Sequence, residues 1–186
     1  KKIAEKYGIN VPFLRPKNIS KDFSLDIDFF KHALNWLKQN DSYVPDLIVH
    51  LRPTCPIRRI KILKKAINII SKGRKINSVR SISHINKSAY KMWFMKSNSM
   101  IKTIAANNTN YKEPHNAPRQ KLPNSYVQNS VYDVVRTKII KKNLMSGKNV
   151  YGLITNDTID IDNKEDFRKL KKHKQKFKNF KKYILS

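Results

Sequence analysis

Asp160 and Asp162 are the residues whose spacing most directly suggests chemistry, with only Ile161 between them. In an extended segment, residues two apart point to the same side, so both carboxylates can approach one hard cation. Mg²⁺ prefers one or two carboxylates together with water and substrate phosphate oxygens, and such a pair supplies them. The alternative is that these acids only start the helix that we expect from Asn163 onward.

Three cationic side chains have positions suited to an anionic ligand. Arg52 follows the apolar run DLIVHL and begins a proline-stiffened loop, and open α/β sheets hold their ligands at such strand ends. Arg119 lies in a long loop flanked by prolines, where its guanidinium suits a carboxylate or a phosphate. Lys91 lies on a strand predicted over Tyr90–Phe94. Each has the alternative interpretation of an ordinary surface residue exposed to solvent.

Several familiar kinds of site are disfavoured. The four glycines are isolated and form no glycine-rich phosphate loop, and the five histidines include no pair at metal-ligand spacing. Cys55 lies between Pro53 and Pro56, where a small residue filling a tight turn is a simpler interpretation than a nucleophile. Asp26 and Asp28 are also two apart, but they fall in a helical pattern, where residues two apart do not share a face. We interpret them as acidic residues that stabilise the first turn of a helix.

The elements that must position these residues alternate between strands and helices. Ser24 is a candidate N-cap, Gly73 a candidate C-terminal cap, and 90–105 a candidate hairpin or meander. The alternation predicts an α/β domain with a mostly parallel central sheet flanked by helices. Strands are expected over 11–14, 46–51, 77–83, 125–135 and 149–154, and helices over 25–39, 60–72, 137–145 and 164–186.

Composition excludes some classes of protein and predicts a compartment. The 186 residues include 40 Lys and Arg against 13 Asp and Glu, a formal charge of +27. Because 31 of the 40 are lysines, and Ile and Asn are also abundant, part of this charge reflects an AT-rich coding bias. The single cysteine permits no internal disulfide, which predicts a reducing, cytoplasmic location. No apolar run is long enough to cross a membrane.

The order of eight blocks along the chain resembles the cytidylyltransferases that make CMP-activated nonulosonic acids. These are the acylneuraminate cytidylyltransferases, or CMP-sialic acid synthetases, and relatives that act on legionaminic-type sugars. The resemblance covers residues 1 to about 168, nearly the whole chain. The blocks are VPFLRP, DIDFFKHALNWL, LIVHLRPTCPIR, NSVRSI, AYKMW, NAPRQKLP, YVQN and IDIDNKEDF.

The resemblance implies a glycosyltransferase-A-like nucleotidyltransferase fold, CTP as co-substrate, Mg²⁺ as cofactor and an acidic sugar as acceptor. It assigns the metal to Asp160 and Asp162, and the binding of the acidic sugar to Arg119. Lys91, Arg52 and Asn129 correspond to further substrate-binding positions. Family members also form homodimers through a region that corresponds to about 85–130.

Four positions depart from the family pattern. Members often have Gln at Arg52 and Ser at Cys55, and they have Gly at Ser130 and in many cases an aromatic residue at Asp133. The family's N-terminal strand and its nucleotide loop are also absent from this sequence. We therefore expect residues 1–168 to be a cytidylyltransferase domain without its N-terminal part and inactive alone, and 169–186 to be a basic helix or tail continuing it.

Two other functions stay open. One is a non-enzymatic module that binds RNA or a membrane surface through its basic charge. RNA readers pair basic faces with exposed aromatics, whereas the aromatics of 167–183 fall on a stripe typical of core packing, so we expect no nucleic-acid partner and no stable membrane insertion. The other is a nucleotidyltransferase for a different acidic sugar such as 3-deoxy-octulosonate; the PRQ and YKMW blocks favour the nine-carbon branch.

Overall fold

A four-stranded sheet organises the computed structural model, which describes residues 1–105, 109–155 and 159–176. Its strands lie in the order β1-β5-β2-β6, and β3 and β4 form a separate antiparallel hairpin. The bounds are β1 (Leu47–His50), β2 (Ser78–His84), β3 (Trp93–Met95), β4 (Ile101–Thr103), β5 (Tyr126–Arg136) and β6 (Val150–Ile154).

Strand direction confirms a mixed α/β sheet in which most strands run the same way. β5 is antiparallel to both of its neighbours, β1 and β2, and β2 is parallel to β6. Hence β1, β2 and β6 share one direction and β5 alone opposes them. The prediction that DLIVHL forms a buried parallel strand is wrong: within the described sheet β1 is an edge strand with an antiparallel partner. A short apolar run in the sequence indicates that a strand is buried, but it does not indicate whether the adjacent strand is parallel or antiparallel.

The helices of the described residues are α1 (Lys2–Lys6), α2 (Asp26–Asn40), α3 (Ile60–Lys72), α4 (Thr137–Lys141) and α5 (Lys164–Lys176). Of these, α2 and α4 pack on one face of the sheet and α3 packs on the other. Between them lie 3₁₀ turns at Lys17–Ile19, Ala89–Lys91, Pro114–Asn116 and Arg119–Lys121. The strand expected over 11–14 does not form, and the helix expected over 137–145 ends at residue 141.

Neighbouring residues of β5 supply the core on opposite faces of the sheet. Val135 packs with α2 and α4, and Val134 packs with α3, β2 and β6, because successive strand side chains point to opposite faces. The buried α2 residues are Ile27, Phe30 and Leu34, which have the helical spacing expected from the sequence. Amphipathic helices on both faces therefore hold β5 at the centre of the domain.

The ends of the helices test several expectations. Gly73 follows the last residue of α3, as predicted. Ser24 does not cap α2: Leu25 holds the N-cap position, and the Ser24 hydroxyl accepts a hydrogen bond from the Lys21 N–H (2.9 Å). Residues 169–176, the described part of the basic helix or tail expected over 169–186, belong to α5, which begins at Lys164; the division of the chain at residue 168 stays a prediction.

The C-terminal stripe lies only partly within the described residues. Of its predicted apolar members, Phe167 and Leu170 are on α5, whereas Phe177, Phe180 and Ile184 lie outside the described residues. Phe167 is 48% exposed, so it is not a core residue in this structure. Among the helices in the described ranges, none combines the length and apolar character that a membrane crossing requires.

Candidate functional site

The loop after β1 is held tightly against β5. The Cys55 N–H bonds the Arg52 carbonyl (3.1 Å) and closes a turn between the two prolines. Cys55 is 1% exposed and packs against Val131 and Tyr132. Arg58 adds a hydrogen bond from its Nε to the Val131 carbonyl (3.1 Å) and another to the Arg52 carbonyl. The prediction of a small residue filling a tight turn is therefore confirmed.

β5 carries a wide bulge opposite this loop. Arg80 pairs with Asp133 and Ile82 pairs with Gln128, so one residue of β2, Ser81, faces the four residues 129–132. The Ser81 hydroxyl accepts the backbone N–H groups of two bulge residues, Val131 (3.0 Å) and Tyr132 (2.9 Å). The bulge re-aims the chain towards the end of the sheet, as bulges beside binding sites commonly do.

The backbone of the bulge favours glycine at one position. Ser130 has φ of +57°, in the left-handed region where glycine is favoured. A glycine at this position would relieve the steric cost that the serine Cβ imposes there. Ser130 directly follows Asn129 within the bulge.

Asn129 joins three strands at this end of the sheet. Its Nδ2 donates to the Ser83 hydroxyl (2.6 Å) at the end of β2 and to the Thr155 hydroxyl (2.7 Å) after β6. Its buried Oδ1 has no hydrogen-bond partner among the described residues. The side chain is thus fixed in orientation, and binding of a substrate by Asn129 stays a prediction.

The segment with the two aspartates lies beside the loop after β1. The Ile161 N–H donates to the Thr54 carbonyl (2.9 Å), and burial, followed by the nearby Asp160 carboxylate, raises the pKa of the Cys55 thiol. Asp160 and Asp162 are exposed while Ile161 is half-buried, the alternation expected of an extended segment. Residues about one hundred positions apart in sequence therefore meet at the same edge of the sheet.

Helix capping does not account for the two aspartates. The Asn163 side chain accepts the N–H groups of Glu165 (2.8 Å) and Asp166 (3.1 Å), which confirms it as the cap of α5. In the described part of the chain neither Asp160 nor Asp162 forms an ion pair. The alternative interpretation, in which these carboxylates only start the helix, is therefore not supported by the hydrogen bonds.

The donor set at this edge fits a magnesium ion that also binds a phosphate. Two exposed carboxylates are hard oxygen ligands, and within the described ranges no cluster of three or more His, Cys, Asp or Glu could complete a protein cage. Mg²⁺ keeps several waters and is usually held by one or two carboxylates plus substrate phosphates. The two aspartates suit such a shared site better than an all-protein site.

Arg52 has partners within the chain itself. Its guanidinium bonds Asp133 (2.8 Å) on β5 and Asp26 (3.3 Å) at the start of α2, and Arg80 lies 3.8 Å from the same Asp133 oxygen. Burial opposes the charge on Arg52, but the bonds to Asp133 and Asp26 prevail and raise its pKa. Substrate binding by Arg52 stays a prediction, while the structure gives its charge a definite role between α2 and the sheet.

The same contact joins two residues at which this sequence differs from the cytidylyltransferases that it resembles. Arg52 and Asp133 are ion-pair partners in this structure. His50 lies beside them on β1, with its buried Nδ1 lacking a hydrogen-bond partner in the described residues. Burial, followed by the charge of Arg52, lowers the pKa of His50.

Arg119 lines a cavity of about 380 Å³ at the end of β2. The cavity contains cationic and neutral polar side chains and no carboxylate, which suits a hydroxyl-rich acid. Arg119 begins a 3₁₀ turn inside the loop predicted for this region. The lining residues are His84, Ile85, Ser88, Arg119, Gln120, Leu122, Pro123, Asn124 and Ser125.

Lys91 is displaced from the position that the sequence predicted. It ends the 3₁₀ turn Ala89–Lys91 instead of lying on a strand, because the strand begins only at Trp93. Its Nζ donates to the His115 carbonyl (2.8 Å), and it is not among the residues that line the Arg119 cavity. A role for Lys91 in binding the sugar stays a prediction.

Three further residues link the bulge of β5 and the Arg119 cavity. The sequence did not identify them as site residues. Cys55 contacts the bulge through the Asn129 carbonyl, Ser83 bonds Asn129, and His84 lines the Arg119 cavity. Ser83 and His84 are consecutive at the end of β2, so the carboxylate edge and the cavity are neighbours along one end of the sheet. The position of these polar residues at a strand end was the signal in the sequence that could have identified them.

Comparison with known proteins identifies the architecture. No protein-family model matches the sequence, and no curated protein matches it. Among solved structures, that of CMP:2-keto-3-deoxy-manno-octonic acid synthetase complexed with CTP is similar, with a TM-score of 0.62 and 10% sequence identity. The match covers 94% of this chain and 76% of that one. The likeness is one of fold. At this identity it confirms the mixed α/β nucleotidyltransferase-like architecture and leaves the activity to be argued from the site.

Proposed function

We propose that this chain belongs to an enzyme that transfers the CMP group of CTP to an acidic sugar and releases pyrophosphate. The observation that carries the proposal is the meeting of Asp160 and Asp162 with the loop after β1, next to a cavity that has Arg119 and no carboxylate. The similar solved structure is of a synthetase that was complexed with CTP and is named for a CMP-linked octonic acid.

In the proposed reaction, the segment with Asp160 and Asp162 binds the metal and the phosphates of CTP, and the cavity with Arg119 binds the sugar. A sugar hydroxyl oxygen forms a bond to the α-phosphorus of CTP, the bond to the β-phosphate oxygen breaks, and the hydroxyl proton is released with pyrophosphate as leaving group. When bound, Mg²⁺ would supply charge neutralisation at the phosphates, as such ions do in phosphoryl transfer. Asp160 and Asp162 would hold it, since both carboxylates are exposed and outside any ion pair among the described residues.

The acceptor is a sugar that carries a carboxylate. Arg119 would bind that carboxylate in two-pronged fashion, while Ser88, Gln120 and Asn124 offer hydrogen bonds to hydroxyl groups of the same molecule. Lys91 would add positive charge near the cavity. We infer a nine-carbon acid of the sialic or legionaminic type from the PRQ and YKMW blocks, with the eight-carbon 3-deoxy-octulosonate as the alternative.

The test is pyrophosphate release from CTP by the full-length gene product that contains this chain. Wild-type protein is expected to release pyrophosphate only with CTP, a divalent cation and one class of acidic sugar, and parallel reactions with nonulosonic acids and 3-deoxy-octulosonate distinguish the two classes. Asp160→Ala is expected to lower kcat by at least about a hundredfold, because charge stabilisation at the phosphates is lost. A near wild-type rate would refute the metal assignment.

A matched control separates chemistry from folding. Glu165→Ala changes a nearby acid that is 74% exposed and paired with Lys169 (3.6 Å) on α5, and it is expected to leave kcat within about twofold of wild type, since exposed ion pairs contribute little. Arg119→Lys keeps the charge but removes the two-pronged geometry, so KM for the sugar should rise while KM for CTP stays unchanged. Equal effects on both KM values would contradict the role of Arg119.

We also infer a homodimer that uses the β3–β4 hairpin. Family resemblance assigns the interface to about 85–130, and the hairpin exposes Phe94 (61%), Met95 (78%) and Ile101 (52%). A two-stranded sheet alone is marginally stable in water, so a covering surface would stabilise it. A second copy of the chain offers the same apolar surface and pairs with it by two-fold symmetry.

A further inference from the structure

A cavity of about 430 Å³ lies where the segment with the two aspartates joins α5. Asp162 is its one carboxylate, and Lys164, Arg168 and Lys171 are its cationic residues. Its other lining residues are Ile161, Asn163 and Phe167, and it shares none with the Arg119 cavity. The cavity therefore carries an excess of positive charge beside one of the proposed cation ligands.

The three cations share one face of α5. Positions 164, 168 and 171 are separated by four and then three residues, a spacing that places side chains next to one another along a helix. The Lys171 Nζ lies 5.1 Å from the centroid of the Phe167 ring, within the range of a cation–π contact. Because Phe167 also lines the cavity, this contact keeps the ammonium group of Lys171 beside it.

The acidic residues of α5 do not neutralise this face. Glu165 and Asp166 both pair with Lys169, at 3.6 and 3.1 Å. In the part of the chain that the structure describes, none of the three cavity cations forms an ion pair. The like charges at positions 164 and 168, four residues apart, lower the stability of the helix, and an anion bound in the cavity would offset that cost.

We propose that Lys164, Arg168 and Lys171 bind the β- and γ-phosphates of CTP and the pyrophosphate that leaves, an inference that rests on the proposed function. Three cations suit a ligand with several negative charges better than the single carboxylate of a sugar acid. Metal ions in phosphoryl-transfer sites bridge phosphate oxygens, so phosphates belong in the cavity that Asp162 lines. In-line displacement also keeps the attacking and leaving oxygens on opposite sides of the phosphorus, which agrees with separate cavities for sugar and pyrophosphate.

The experiment is isothermal titration calorimetry of the full-length gene product with CTP, CMP and inorganic pyrophosphate. Mg²⁺ is present and the sugar is left out, so that no turnover occurs. Arg168→Ala combined with Lys171→Ala is expected to weaken the affinities for CTP and for pyrophosphate by about tenfold or more, because charge-assisted hydrogen bonds to phosphate are lost. The affinity for CMP, which lacks the β- and γ-phosphates, is expected to stay within about twofold of wild type, since salt screens the remaining long-range effect of the two charges.

Lys169→Ala combined with Lys172→Ala is the matched control. It removes the same charge from the next positions along α5, and neither residue lines the cavity. Its affinity for CTP is expected to stay within about twofold of wild type. The single variants Lys171→Ala and Lys172→Ala, at neighbouring positions, give the same comparison if a double variant does not fold.

The possible failures refute different statements. An equal loss of CTP affinity in the control, or an equal loss for CMP when Arg168 and Lys171 are replaced, would assign the effect to general positive charge and overturn the inference. Wild-type affinity for CTP after replacement of Arg168 and Lys171 would also overturn it, while leaving the proposed function intact. A wild-type protein that binds neither CTP nor CMP would overturn the proposed function itself. Binding alone therefore distinguishes the two failures.

Discussion

Replacement of Asp133 by alanine tests the ion-pair network that joins α2 to the sheet. The carboxylate of Asp133 is 8% exposed and bonds Arg52 at 2.8 Å, with Arg80 at 3.8 Å. Its removal leaves two guanidinium groups partly buried, with side-chain exposures of 26% and 17%. Asp26 stays as a partner of Arg52, but it is 43% exposed and more distant at 3.3 Å.

The expected loss lies between the values for buried and exposed pairs. Removing one partner of a fully buried pair costs about 3–5 kcal/mol, because the other charge is left without compensation. An exposed pair contributes about 0–1 kcal/mol. Since Asp133 is buried and Arg52 is about one quarter exposed, we expect Asp133→Ala to lower the free energy of unfolding by about 2–3 kcal/mol. For a chain of this size the melting temperature would fall by about 5–10 °C.

A double-mutant cycle in urea isolates the interaction itself. Asp133→Ala, Arg52→Met and the double variant are compared with wild type, and the cost of the double variant should be about 1–2 kcal/mol below the sum of the single ones. Asp26→Ala is the control and should cost less than about 1 kcal/mol, since that carboxylate is more exposed. Additive single costs, or an Asp26→Ala cost equal to that of Asp133→Ala, would refute the assignment of the network's main contact.

Three further predictions concern other parts of the structure. Ser130→Gly should raise the free energy of unfolding by about 0.5–1 kcal/mol in urea, because φ is +57°; a loss of stability would contradict the strain argument. His50 has a pKa below 6.5 through burial and a nearby guanidinium, so the unfolded state binds its proton first and stability should fall as pH drops from 7 through 6.5. In urea titrations at pH 7 and 5.5, His50→Gln should reduce that fall; an equal fall in both proteins would contradict it. Phe94→Asp with Met95→Asp should give monomers in sedimentation velocity, whereas Phe23→Asp, at a site 96% exposed outside the hairpin, should not.

The sequence predicted the main helices because the spacing of apolar residues along a helix indicates which side of it is buried. The stripe Ile27, Phe30 and Leu34 identified the buried side of α2, and the acidic turn after Asn163 identified the start of α5. The order of chemical blocks also predicted the nucleotidyltransferase-like fold, which the solved structure at 10% identity confirms. These features depend on local spacing or on order along the chain, and both can be read without coordinates.

Contacts between distant segments could not be predicted in the same way. Arg52 and Asp133 are 81 residues apart, and no local pattern shows that their charges neutralise each other. The residues around Lys91 predict a strand, whereas Ser88 starts a 3₁₀ turn there by accepting the Tyr90 N–H (3.3 Å). Tertiary packing brought Arg52 and Asp133 together, and a side-chain hydrogen bond replaced the predicted strand at Lys91 with a turn.

By itself the sequence determined which chemical groups are present, namely a pair of carboxylates two residues apart and an arginine between prolines. It also determined the alternation of strands and helices. The tertiary structure decided which of these groups meet. The bulge of β5 and the turn after β1 bring Asn129 next to Cys55 and bind Thr54 to Ile161 between the two aspartates, while Arg52 is engaged by Asp133 and Asp26. The physical reason is that residue type and spacing fix what a side chain can bind, whereas strand register and long-range hydrogen bonds fix what lies within its reach.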